Sequence, residues 1–273
     1  RDSVASRGLG DVYKRQYNNC TITVTDNLSN SSSLSVNTFK IDTTDPIVTE
    51  VTAVTTPGND TTPSYTFHST EAGDITYGGS CSSSDNSTSS SGNKSIDFRK
   101  PNGTVLDEAS YATGTCTIRV TDGAGNQSNR LDVSSFIIDT TAPTVDSVYP
   151  ANNQNGVSIT TDNISVTFSE AMDNTSVTTN TDNTTCYGSF ALSSDNFSSC
   201  IQISSSPSNS SDNKTFTVDP SDNLSYSTTY KIRVTTGVKD SAGNTLNSQY
   251  ETSSGFKTCT SSGCLYVTVG DSG

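Results

Sequence analysis

Carboxylates and cysteines are the side chains of this 273-residue chain whose types and spacing could do chemistry. There are 28 Asp and Glu, seven Cys and a single His. Nucleophilic catalysis by Ser or Cys needs a base at hand, and His68 is the sole imidazole. It falls out of phase with Tyr65 and Phe67, so it is expected to face solvent. Acid–base work by paired carboxylates needs a buried, perturbed pair, whereas these carboxylates sit in polar loop stretches. No enzymatic activity is expected. What remains is hard-oxygen chemistry. Glu170, Asp173, Asp240 and Asn244, with Asp139 ahead of them, form one group. Glu71, Asp74, Asp122 and Asn126, with Asp42 and Asp45 ahead, form the same group earlier in the chain. Such oxygens suit Ca²⁺, which takes roughly six to eight ligands of this kind. No EF-hand loop is spelled out. The competing account of each Asp and Asn is turn chemistry and solubility. No other cofactor is expected.

The groups recur because the stretches that carry them recur. In 114–143, Ile118 and Val120 alternate with Thr117, Arg119 and Thr121, the period of a half-buried strand. Asp122-Gly-Ala-Gly-Asn126 follows, a loop of residues that tolerate positive φ. A second strand comes next, with Phe136 and Ile138 on one face, and Pro143 ends it. The spacing predicts one β-hairpin. The same spelling occurs at 18–46, with Cys20, Ile22, Val24, Asp26, Phe39, Ile41 and Pro46. It occurs a third time from Tyr230, Ile232 and Val234 through Asp240 and Asn244 to Phe256. Cys20 and Cys116 lie 96 positions apart, close to the length of one small β-sandwich.

Only 30% of residues are hydrophobic and Trp is absent. Thr-rich strands tolerate that, because Thr sits well on a solvated sheet face. Thin sandwiches with long polar loops are therefore expected in place of a disordered polar chain. The net charge of −13 argues against nucleic acid and anionic membrane surfaces, which call for Lys and Arg patches. No apolar run approaches a membrane span. The Asn-x-Ser/Thr triplets are those that so Asn-, Ser- and Thr-rich a chain spells by chance.

In chain order, residues 1–16 carry four Lys/Arg and none of the polar texture that follows. They resemble translated sequencing-adaptor read-through and are expected to be non-native and unstructured. Residues 17–46 read as the C-terminal hairpin of a truncated domain, poorly packed because a lone hairpin is marginal in water. Residues 47–143 read as one complete module, with strands at 47–54, 64–69, 74–78 and 94–98 ahead of the hairpin. Residues 144–258 read as a second, and 259–273 as a tail.

The second module carries Phe168-Ser-Glu170-Ala-Met172-Asp173 and, further on, Lys239-Asp240-Ser-Ala-Gly-Asn244. On those residues 144–258 resembles a bacterial Ig-like domain of the S-layer (SbsA) type. Residues 47–143 are similar, more loosely, to bacterial Ig-like repeats joined by Ile-Asp-Thr-Thr-x-Pro linkers. The resemblance implies an all-β fold of tandem Ig-like sandwiches preceded by the truncated hairpin of a third. In such a sandwich the third and sixth strands are antiparallel neighbours, which pairs Cys81 with Cys116. Cys186 and Cys200 would cross-link a local strand pair, and Cys259 and Cys264 would close a small loop. Cys20 is left over, its partner expected in the missing part of its domain. Zinc is disfavoured, since no Cys-x-x-Cys is present. Three disulfides imply an oxidising compartment. The resemblance also places the acidic groups in loops at the end where a preceding domain attaches, as candidate interdomain calcium sites. It implies an extracellular or cell-surface protein whose modules serve as stalk or adhesin spacer, with neighbouring Ig-like domains and host-surface or matrix ligands as partners. The alternative is accessory or carbohydrate-binding modules of a large secreted hydrolase, which would want exposed aromatic platforms. Gly270-Asp-Ser-Gly273 matches a protease nucleophile loop in spelling only, with no strand after it.

Overall fold

The computed structural model describes residues 14–160 and 163–261, and among these the regular elements are all strands. They divide into two units, one running to Thr56 and over Asp60–Ile138, the other holding Pro57–Asn59 and everything from Asp139. Each has its own core.

The first unit opens with β1 (Lys14–Tyr17), β2 (Thr21–Thr25), β3 (Ser31–Ser35) and β4 (Phe39–Asp42). It continues with β5 (Val48–Thr52), β6 (Ser64–Ser69), β7 (Gly73–Gly79), β8 (Ser87–Thr88) and β9 (Gly92–Asp97). β10 (Ala109–Tyr111), β11 (Cys116–Thr121), β12 (Leu131–Asp132) and β13 (Phe136–Ile138) complete it. One sheet has the order β5-β6-β9, another β12-β11-β7-β8, and β10 pairs with β13. Period-two alternation puts Tyr65, Phe67 and Ile96 of the first sheet, with Phe98 just past β9, against Ile75, Ile118 and Val120 of the second. Burying each such side chain is worth about 1.5–3 kcal/mol. Tyr65 keeps its hydroxyl satisfied by donating to Glu50 at 3.0 Å.

Three expectations are corrected in this unit. The hairpin expected over 114–143 is shorter. Of the residues after its loop, only Leu131–Asp132 of β12 pair back with β11, and Phe136–Ile138 crosses to β10. The crossing is held by Ser134, whose N–H and hydroxyl both donate to the Glu50 carboxylate. Residues 1–16 are not all unstructured: Lys14–Gln16 belong to β1, antiparallel to β4. Tyr17 anchors that strand by stacking on Phe39 with ring centroids 5.0 Å apart. Residues 1–13 lie outside the described set. The boundary expected at 143/144 falls instead at 138/139. Asp139 joins the second unit because its N–H donates to Gly58 and its carbonyl accepts from Asn244.

The hairpin β2–β3 is exposed along its whole length, the poor packing expected of 17–46.

The second unit comprises β14 (Val145–Tyr149), β15 (Ile164–Phe168), β16 (Phe190–Ser193), β17 (Ser208–Asn209) and β18 (Thr215–Val218). It ends with β19 (Thr229–Val234), β20 (Tyr250–Glu251) and β21 (Phe256–Lys257). One sheet is β14-β15-β18-β17; the other is β16-β19-β20, with β21 also on β19. Ile164, Val166, Phe168, Phe216 and Val218 meet Phe190, Leu192, Tyr230, Ile232 and Val234 in the core.

The disulfides Cys81–Cys116 and Cys186–Cys200 are both formed, each with Cα atoms 5.1 Å apart. Gly79 permits the first. It ends β7 at φ 78, where a Cβ would come within 2.0 Å of the Thr115 carbonyl oxygen. The second does not cross-link a local strand pair as expected. β16 is the only strand between its cysteines, and it pairs with β19. The bridge instead ties the two loop arms flanking β16, where the Cys200 N–H donates to Thr184. Cys259 is disulfide-bonded; Cys264, its expected partner, and Gly270–Gly273 lie outside the described residues.

Candidate metal centres

Each acidic site begins as a loop that the sequence spells twice. After β11, Asp122 turns the chain by accepting hydrogen bonds at Oδ1 from the N–H groups of Ala124 (2.9 Å) and Asn126 (2.8 Å). After β19, Asp240 accepts from Ala242 (2.8 Å) and Asn244 (2.9 Å) in the same way. The positive φ these loops need falls on Gly125 (95°) and Gly243 (98°). Asn126 and Asn244 then act as clamps. The Asn126 amide donates to Asp122 Oδ2 at 2.9 Å and to the Asp42 carbonyl at 3.1 Å. Asn244 does the same to Asp240 at 2.8 Å and to the Asp139 carbonyl at 2.9 Å. Each clamp thereby fixes a third acidic residue beside its loop.

The result is two triads, Asp42–Glu71–Asp122 in the first unit and Asp139–Glu170–Asp240 in the second. In each, one carboxylate oxygen per residue lies within 4.8 Å of the others. Glu71 sits between β6 and β7 and Glu170 just after β15, the second strand of its unit. Ser241 ties the two loops of the second triad together, its N–H donating to the Ala171 carbonyl at 3.0 Å.

Five expected ligands stand outside the triads, Asn126 among them as a clamp. Asp173 caps its own turn, accepting from the N–H (2.9 Å) and hydroxyl (2.7 Å) of Thr175. Asn244 presents its amide NH₂ to the triad as a donor, so it positions Asp139 and Asp240. Asp74 and Asp45 are exposed and belong to neither triad. The sequence could not separate Asp74 from Glu71. Only the register of β7, with Asp74 opposite Thr121, settles which of them turns toward the loop end.

The two triads differ in charge environment. Asp240 is 1% exposed. Glu170 is pushed up to about 6 by burial first, then by the charges of Asp139 and Asp240 and a hydrogen bond with Asp139, with Lys214 opposing. Lys214 is held nearby through its Nζ, which donates to the Ser169 carbonyl at 2.8 Å. In the first unit, Lys40 pairs with Asp42 at 3.2 Å. Burial would raise Asp122, but hydrogen bonds from the Asn126 side chain and loop N–H groups outweigh it and hold the carboxyl below its usual range. Three convergent carboxylates are a hard-oxygen set of the kind a divalent cation takes, with further ligands supplied by carbonyls or water. His68 lies half-exposed on β6, on the face opposite buried Tyr65 and Phe67.

Residues 139–258 match the family model of a bacterial Ig-like domain. The match opens on Asp139, where the second unit also begins. The matched stretch thus takes in the whole second triad. Among solved structures, the N-terminal part of the bacterial S-layer protein SbsC is similar over 44% of this chain, at 21% identity and a TM-score of 0.31. A structure of SbsC domains 1–6 is similar over 44% of this chain at 22% identity and the same TM-score. The chain spans 24% of the first and 14% of the second. No curated protein matches it.

Proposed function

We propose that this chain is a stretch of an extracellular bacterial protein whose Ig-like modules form a non-enzymatic stalk or adhesin spacer, stiffened by divalent cations. The observation that carries the reading is a disulfide inside each unit. Such bridges persist outside the reducing cytosol, and thin, polar sandwiches need the roughly 2–4 kcal/mol that each can supply. The bacterial Ig-like match of 139–258 supports the same reading. The cation part rests on the recurrence of one Asp–Glu–Asp triad, clamped by one Asn, in both units. Ca²⁺ is the ion of choice because every donor is a hard oxygen.

Single-molecule pulling on the intact chain tests both parts. Two unfolding events are expected, each releasing more length after reduction, since the bridges lock segments spanning 35 and 14 positions. Millimolar Ca²⁺ should raise both unfolding forces. Unfolding without a resolved force peak would end the spacer reading; forces indifferent to Ca²⁺ would end the cation reading alone.

A further inference from the structure

A cleft of about 550 Å³ opens in the first unit, built from residues that neither triad uses. Its volume falls within the roughly 300–1,000 Å³ of small-molecule sites. One wall is β10. Successive strand residues point to opposite faces, yet Ala109, Ser110 and Tyr111 all border the cleft, so the strand's edge faces it. β13 holds the other edge, and no strand among the described residues pairs with this one. A second wall is the turn 100–104. Its Lys100 N–H donates to the Thr104 carbonyl and its Gly103 N–H to the Lys100 carbonyl, both at 2.8 Å. Ser80 and Thr115 complete the lining, each next to a cysteine of the Cys81–Cys116 bridge. The Ser80 N–H donates to the Thr115 carbonyl at 2.9 Å. Turn, bridge and strand thus form the cleft in advance of any ligand.

Pro101, Ala109 and Tyr111 give it an apolar surface. Tyr111 stacks on Phe136, and its hydroxyl donates to the Asp107 carbonyl and accepts from the Asp107 N–H, both at 3.1 Å. The charges are closed on themselves, with Lys100 Nζ 2.6 Å from Asp107. What stays open is neutral. The hydroxyls of Ser80, Ser110 and Thr115 have no protein partner among the described residues. Asn102 accepts at Oδ1 from the N–H (3.0 Å) and hydroxyl (2.7 Å) of Thr104, which leaves its NH₂ to donate.

We infer that this cleft binds a neutral saccharide of one or two rings. Sugar hydroxyls both donate and accept, which matches the three protein hydroxyls, the Asn102 NH₂ and the edge N–H and C=O groups of β10. A charged ligand would find its counter-charge already paired. A peptide strand fits less well, because strand addition draws its affinity from a backbone ladder and β10 offers three residues of one. Such a site would give the first module an adhesive role beyond that of a spacer.

The test titrates the intact, isotope-labelled chain with cellobiose, maltose, lactose and the disaccharide of N-acetylglucosamine, read by amide chemical shifts. With at least one of them, saturable shifts at Ala109–Tyr111 and at the Asn102 side chain are expected below about 10 mM. Asn102→Asp keeps the acceptor for Thr104 but loses the NH₂, and Ser110→Val removes a hydroxyl while suiting a strand. Together they should weaken binding about tenfold, as expected for one or two lost hydrogen bonds, with shifts elsewhere unchanged. No saturation at the cleft, or an affinity indifferent to the double substitution, would overturn the proposal. So would glucuronate binding more tightly than every neutral sugar, or a Thr-Val-Thr-Val peptide taking the cleft in their place. Unfolding forces do not enter this readout, so its failure leaves the spacer reading standing.

Discussion

Two hairpins in this molecule have nearly one sequence and opposite surroundings. Around β11 and β13, the residues Ile118, Val120, Phe136 and Ile138 are at most 2% exposed; around β2 and β4, Ile22, Val24, Phe39 and Ile41 are 36–69% exposed. Local features are nonetheless the same. Both have the Asp-x-x-x-Asn loop, with positive φ at Ser29 (70°) and Gly125 (95°). Both have a register-paired Tyr–Phe stack, Tyr17 on Phe39 and Tyr111 on Phe136. Alternation and turn chemistry are therefore enough to shape the hairpin. Tertiary partners alone decide whether its apolar face contributes to stability.

The sharpest way to break the comparison is to truncate the same residue in both copies. Ile118→Ala should cost roughly 2–5 kcal/mol, lost transfer energy plus a cavity between two sheets. Ile22→Ala should change stability by less than about 0.5 kcal/mol, as at other exposed positions. Urea unfolding followed by circular dichroism reads both. Similar losses in the two variants would mean that the β2 face is covered in solution.

The loops offer a smaller contrast. Asn126→Ala removes one bond to a carboxylate and another to the Asp42 carbonyl, so a loss of roughly 1–2 kcal/mol is expected in thermal melts. Asn30 bonds to the exposed Asp26 carboxylate at 3.0 Å, and Asn30→Ala should cost less than about 1 kcal/mol. If the two substitutions cost the same, the Asp42 tether adds nothing.

How far the fold could be read from residues follows from the same contrast. Strands such as Ser64–Ser69 and the buried pairs Ile118/Val120 and Tyr65/Phe67 were legible, because period-two alternation reports which face is apolar. The Cys81–Cys116 bridge was legible once the sandwich resemblance set the strand order. The crossing of Phe136–Ile138 to β10 was not, because it depends on Glu50 capturing Ser134 from 84 positions away. At the acidic sites all six triad members could be named, since each lies in or beside a stretch whose spelling repeats. Separating them from Asp173, Asp74 and Asp45 required side-chain direction, which composition does not carry. Nor could the sequence reveal that Asn126 and Asn244 face the carboxylates as donors.

The smallest expected effect concerns what distinguishes the second triad. Glu170 is raised to about 6 from its usual 4.5, so its contribution to stability is complete below pH 4.5 and lost as pH rises through 6. Above that, three charges crowd together at a cost of about 1 kcal/mol once solvent screening is allowed for. Gln mimics the protonated acid. Glu170→Gln should therefore match the wild type at pH 4 and exceed it by about 1 kcal/mol at pH 7 in the presence of chelator. Bound Ca²⁺ would reverse the sign, because a cation turns the crowded charges into ligands and Gln is the weaker one. Melts at pH 7 with chelator and with millimolar Ca²⁺ read both arms. A variant more stable in both media would show that the carboxylates repel each other without holding an ion.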